Sequence, residues 1–163
     1  MRRIFWVALV TILVDQISKY WVVHVLNLKE VLRIDVLPPL LNFRMAWNFG
    51  INFGLFSEDS TLTRWLLIAV AVIITVTVLL WMARSETNRW QEVAAGLLVG
   101  GALGNVIDRL VYGAVADFLN MSCCGIENPY AFNVADISIF AGAIGLILFT
   151  GNGTPRDAED KPG

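Results

Sequence analysis

Histidine occurs once in this chain of 163 residues, and cysteine only twice, as the adjacent pair Cys123-Cys124. With His24 as the single imidazole, ligands are too few for a His/Cys metal centre, and no metal is expected. Adjacent cysteines rarely bridge each other because the geometry is strained, so two unbridged, semi-buried loop residues are expected there. Charge is scarce as well: Asp, Glu, Lys and Arg make up 16% of the chain, with a formal net charge of −2. No basic stripe exists to neutralise phosphates, which argues against a nucleic-acid partner. The N-terminus carries Arg2 and Arg3 before apolar Ile4–Val14 but lacks the small-residue cleavage site of a secretory signal. The chain runs on through Asp15-Gln16-Ile17-Ser18-Lys19 into further apolar residues, so an uncleaved first membrane span is expected.

Apolar residues are abundant, at 56% of the chain. Runs of about 18 or more such residues read as membrane spans. Four candidates appear: Ile4–Leu26, Trp65–Met82, Val93–Val111 and Phe132–Thr150. Trp65–Met82 is uninterrupted and would measure roughly 27 Å as a helix. Arg2, Arg3, Arg84, Arg89, Arg156 and Lys161 cluster in the short segments that share one side, whereas Tyr112–Ala131 has no basic residue. The positive-inside rule then puts both termini in the cytoplasm and the two long connections outside. The tail 151–163 is polar and rich in Gly and Pro, as disordered segments are.

The first outer connection is patterned. From Leu41 to Leu55 the odd positions are apolar (Leu41, Phe43, Met45, Trp47, Phe49, Ile51, Phe53, Leu55). The even ones are polar or small (Asn42, Arg44, Ala46, Asn48, Gly50, Asn52, Gly54). Period two predicts extended, sheet-like structure with one aromatic face and one asparagine face. Ser57 or Ser60 is placed to cap the helix that follows.

Ionisable residues interrupt the spans, and each costs at least ~2.5 kcal/mol deep in a bilayer unless it faces the bundle interior and pairs. Asp15 and Lys19 stand one turn apart, and Asn105, Asp108 and Arg109 form one stripe at i, i+3 and i+4. Interhelical polar glue is the plain explanation of both clusters. Two further carboxylates, Asp117 just past span three and Asp136 at the start of span four, fall at one outer membrane level amid apolar neighbours. Burial and mutual repulsion would leave such a pair sharing one proton, the physical requirement of an aspartic protease. Spacing alone leaves a proton relay, a cation site, an ion- or proton-coupled carrier and a non-catalytic scaffold open.

Five segments carry a resemblance over nearly the whole chain: Asp15-Gln-Ile-Ser-Lys19, Asn48-Phe-Gly50, Gly100-Gly-Ala-Leu-Gly-Asn105-Val-Ile-Asp108-Arg109, Val115-Ala-Asp117-Phe118 and Phe132-Asn133-Val-Ala-Asp136. In this order they resemble the bacterial lipoprotein signal peptidases (signal peptidase II), which are membrane aspartic proteases. The resemblance implies an all-α polytopic membrane protein with four transmembrane helices and a small extracytoplasmic β-sheet. It implies one membrane-embedded peptidase domain over residues 1–150, its β region at about 28–56, and a disordered cytoplasmic tail over 151–163.

The family's catalytic pair falls on Asp117 and Asp136, and its supporting residues on Asp15, Lys19, Asn48, Gly50, Asn105, Asp108, Arg109, Asn133 and Ala135. The implied substrate is a diacylglyceryl-modified prolipoprotein, cut on the N-terminal side of the lipidated cysteine. Asn48 and Asn105 would hydrogen-bond its backbone, and Arg109 would hold carbonyls nearby. Membrane lipid and globomycin-type inhibitors are the other implied partners; no cofactor is implied, and a monomer in the bacterial inner membrane is expected. Where family members often read Gly-Ala-Ala-Phe-Ser, this chain reads Gly50-Ile-Asn-Phe-Gly54, a departure that alters the local shape of the outer loop.

Overall fold

The computed structural model describes residues 1–50, 60–123 and 128–150, with Ser60 as backbone only. The elements are α1 (Arg2–Tyr20), running into a π-helical turn (Trp21–Val25), then α2 (Leu28–Val31), β1 (Arg33–Leu37) and β2 (Leu41–Asn48). They continue with α3 (Ser60–Arg84), α4 (Arg89–Tyr112), β3 (Val115–Met121) and α5 (Val134–Thr150). Among the described residues three helical stretches are long and apolar enough to cross a membrane: Arg2–Val25, Thr61–Arg84 and Arg89–Tyr112. The fourth expected span is an apolar helix of 17 residues, because Asn133 caps it one residue inside the apolar run that begins at Phe132.

α4 is the central helix, packed against α1, α3 and α5. Its sequence explains why: Gly96, Gly100, Gly101 and Gly104 line its buried faces. A Cβ at Gly100 would lie 2.7 Å from the Ala8 carbonyl oxygen, so only glycine lets α1 approach so closely. Gly142 of α5 is the reciprocal case, where a Cβ would meet the Ala94 carbonyl oxygen at 2.6 Å. Small residues do this work in membranes, where lipid supplies no hydrophobic drive between helices. Outward residues such as Ile73, Phe140 and Ile147 are apolar and exposed, as a lipid-facing surface requires.

The sheet has order β1-β2-β3, antiparallel throughout. β2 occupies the first half of the alternating stretch, but the pattern does not give two uniform faces. Phe43 pairs with Leu119 and Ala46 with Asp117, with a register shift between them. Directly paired residues share a face, so Asn42 and Asn48 end on opposite faces, turned apart by this bulge. Period two within one strand carries no information about a bulge set by its partner. β3 itself has no alternation to betray it, because it is buried on both faces from Val115 to Phe118. Ile51, Asn52, Gly54, Ser57 and the tail 151–163 lie outside the described residues.

Cys123 is disulfide-bonded. The expectation of an unbridged thiol at Cys123 is corrected here: unfavourable geometry disfavours a bridge without forbidding one. Cys124 lies outside the described residues.

Candidate active site

Gly113 adopts φ +81° and ends α4, its N–H donating to the Arg109 carbonyl. That left-handed turn, which glycine takes without a Cβ penalty, redirects the chain into β3 and sets Asp117 beside the C-terminal end of α4. Asp136 arrives from the other direction, in the first turn of α5. Asn133 is its N-cap: Asn133 Oδ1 accepts from the Asp136 N–H at 2.9 Å, and Asp136 Oδ2 accepts from the Asn133 N–H at 3.3 Å. This reciprocal pair is a capping box with an aspartate in place of the usual glutamate.

The same Asn133 side chain reaches the second carboxylate. Its Nδ2 donates to Asp117 Oδ1 at 2.6 Å, and Asn48 Nδ2 donates to Asp117 Oδ2 at 3.1 Å. Asn105 Nδ2 donates to Asp136 Oδ1 at 2.9 Å. One asparagine thus caps the helix that holds Asp136 and binds Asp117, which brings the two acids expected from the sequence into one site. Burial pushes the Asp117 carboxyl up to about 6, and the negative charge of Asp136 adds to the rise. Hydrogen bonds from Asn48 and Asn133 and the charge of Lys19 hold it back.

The remaining expected residues surround this pair. Arg109 Nη1 donates to the Asn105 carbonyl at 3.2 Å, and its guanidinium lies within charge range of Asp136, Asp108 and Asp117. Gly50, at φ +103°, donates its N–H to Asn48 Oδ1 at 3.0 Å, leaving the Asn48 amide nitrogen for Asp117. A Cβ at Gly50 would also strike the Leu67 side chain. Ala135 is fully buried where α1, α4 and α5 meet, with its N–H on Asp15 Oδ1 at 2.9 Å.

Asp15, Lys19 and Asp108 form a buried ion-pair cluster, with Lys19 Nζ 2.8 Å from both carboxylates. Asp15 and Lys19 pair within α1, and Asp108 draws its partner from across the helix interface. Asp108 also accepts from the Ala116 N–H at 3.1 Å. Gln16 was not among the expected site residues, yet its amide donates to Asp15 and Asp108 at 3.1 and 2.8 Å. Its polar side chain inside an apolar span was the available signal. Among the described residues no group of three or more His, Cys, Asp and Glu side chains is placed to hold a metal ion.

The profile of the family described as signal peptidase (SPase) II matches residues 7–151. The chain belongs to the signal peptidase II family. It is 43% identical to a lipoprotein signal peptidase of Methylorubrum extorquens over 91% of this chain and 85% of that protein. A lipoprotein signal peptidase of a Shewanella species is 37% identical over 98% of this chain and 91% of the relative.

Two solved structures of a bacterial membrane enzyme, determined by the in meso method, share the fold. Their TM-scores are 0.79 and 0.75, their identities 27% and 25%. The alignments cover 94% and 99% of this chain and 96% of each solved chain. Signal peptidase II membership makes the chain a membrane-embedded aspartic peptidase, a hydrolase, and sets aside the carrier and scaffold readings.

Proposed function

We propose that Asp117 and Asp136 are the catalytic dyad, and that they cleave diacylglyceryl-modified prolipoproteins on the N-terminal side of the lipidated cysteine. The observation that carries this is the Asn133 side chain bonded both to Asp117 and to the backbone N–H of Asp136, which holds a buried and a partly buried carboxyl within each other's field. The rise at Asp117 leans the shared proton toward it, while Asp136 lies at the positive end of the α5 dipole.

In the mono-protonated state the ionised carboxylate takes a proton from water as its oxygen attacks the scissile carbonyl. The protonated carboxyl donates to the carbonyl oxygen and stabilises the tetrahedral intermediate. Collapse breaks the C–N bond, and a dyad proton passes to the departing cysteine amine. The products are a signal peptide ending in a carboxylate and a lipoprotein beginning with the lipidated cysteine. Loss of the shared proton ends turnover, so kcat/KM falls as pH rises through the titration of Asp117 at about 6.

The level of the site suits this substrate. We place α5 across the bilayer as the fourth span, both termini in the cytoplasm, and the dyad toward the outer leaflet of the bacterial inner membrane. A peptide bond beside a lipid anchor sits at that surface. Extracting the acyl chains into water would cost ~0.8 kcal/mol per CH₂, and a dyad at the rim leaves them in lipid. Residues 1–150 form one peptidase domain and 151–163 a cytoplasmic tail. The working unit is a monomer, and globomycin-type cyclic peptides are its inhibitors.

The test is cleavage by the purified protein, in lipid, of a prolipoprotein with and without its diacylglyceryl group. The expected product begins with the modified cysteine by mass spectrometry, and the unmodified precursor stays whole. Equal cleavage of both precursors, or of neither, contradicts the assignment.

A further inference from the structure

Lys19 is buried to 3% exposure, and its ammonium meets three oxygens, donating hydrogen bonds to Asp15 and Asn105 and forming an ion pair with Asp108. Two are carboxylate oxygens, Asp15 Oδ2 and Asp108 Oδ2, both at 2.8 Å; the third is Asn105 Oδ1 at 3.3 Å. What those groups hold in turn is informative. Asp15 Oδ1 accepts from the Ala135 N–H, and Ala135 precedes Asp136 in the chain. Asp108 Oδ2 accepts from the Ala116 N–H, and Ala116 precedes Asp117. The ammonium therefore joins two arms, each ending on the backbone immediately before one member of the acidic pair.

Its hydrogen bond to Asn105 acts on the amide of that side chain. That Oδ1 accepts from Lys19 and from Asn133 Nδ2 at 3.4 Å, while Nδ2 donates to Asp136 Oδ1 at 2.9 Å. Turned by a half rotation, the amide would set its oxygen against the Asp136 carboxylate and its NH₂ against an ammonium, which has no lone pair to accept with. Lys19 forbids that orientation.

We infer that Lys19 is a positioning residue for the dyad: it fixes the separation of the Asp117 and Asp136 backbones through the Asp108 and Asp15 arms, and it keeps the Asn105 amide aimed at Asp136. This inference rests on the dyad assignment above. Lys19 itself lies behind the reacting atoms and acts through other residues. Gln16 bridges Asp15 and Asp108 as a neutral second tie, so loss of the ammonium loosens the clamp without severing it.

The first variant is Lys19→Met. It leaves two buried carboxylates short of a counter-ion, a change that destabilises strongly. The second variant, Asp15→Asn with Lys19→Met, removes one negative and one positive charge together, and the asparagine oxygen still serves the Ala135 N–H. For whichever variant folds in lipid, kcat is expected to fall by about 100-fold, the scale of an ångström's misplacement, with KM within about twofold of wild type.

The pH at which kcat/KM falls is also expected to rise. The groups facing the ammonium and the pair are Asp15 on α1, Asp108 and Arg109 on α4, Asp117 on β3 and Asp136 on α5. Of these the Lys19 charge favours ionised Asp117, so its loss makes the shared proton harder to remove. Removal of Asp15 acts in the opposite sense, so an upward shift belongs to Lys19. A folded variant with kcat within threefold of wild type overturns the inference, as does lost kcat in Lys19→Met with an unmoved pH profile. Failure of both variants to fold makes Lys19 part of the scaffold and overturns it too. Asp136→Asn is run beside them: if it stays active, the dyad assignment fails, whereas an inactive Asp136→Asn beside a fully active Lys19 variant defeats this inference alone.

Discussion

Asp117→Asn and Asp136→Asn are each expected to reduce kcat on a diacylglyceryl-modified prolipoprotein by about 10³-fold or more, the upper range for loss of a general acid or base. Substrate binding should persist in both, because an amide matches the carboxylate in shape. Folding should persist as well. Asp117 titrates near 6 in the fold against an ordinary 3.8. The folded protein therefore holds that proton more tightly than the unfolded chain, and this contribution to stability is complete below 3.8 and lost as pH rises through 6. At pH 7 an asparagine removes a cost, so the melting temperature of Asp117→Asn should equal or exceed that of the wild type. Lost activity together with a collapsed melting temperature would mean that the carboxylates serve the fold. Inactivity in a stable protein is the signature of groups kept for chemistry at the expense of stability.

Asn133→Ala carries the second large effect, because one side chain serves two ends. It removes the 2.6 Å donor to Asp117 and the cap of α5 together. A lost N-cap costs about 1 kcal/mol. The misplaced carboxyls should lower kcat by about 100-fold. The two roles separate in Asn133→Ser, whose hydroxyl oxygen still caps the helix but is too short to reach Asp117. Thermal stability is expected to return in Asn133→Ser while kcat stays low. If the serine restores turnover along with stability, the contact with Asp117 is incidental and Asn133 acts only as a cap.

What the sequence disclosed and what it hid follow from physical causes. Asp117 and Asp136 were visible because a carboxylate amid Val, Ala and Phe must be accounted for, and because consecutive antiparallel helices bring their facing ends together. The Asp15, Lys19 and Asp108 cluster was visible as charge that lipid does not tolerate unpaired. The lysine's double engagement was not, since it depends on how closely Gly100 and Gly104 let α1 approach α4. β3 escaped notice because burial on both faces erases alternation. The bulge in β2 depends on its pairing with β3, a long-range fact. Asn133 read as a motif residue, and its two-handed role emerged only with the loop that brings it against Asp117.

The central physical claim is that two carboxyls at the outer rim of the bundle feel each other closely enough to share a proton. Carbon-13 carboxyl NMR of Asp117 across pH, in wild-type protein and in Asp136→Asn, measures this directly. Coupling predicts titration near 6 in the wild type and a lower value once the Asp136 charge is gone. An Asp117 that titrates at the ordinary 3.8 in the wild type, or is unmoved by Asp136→Asn, contradicts it.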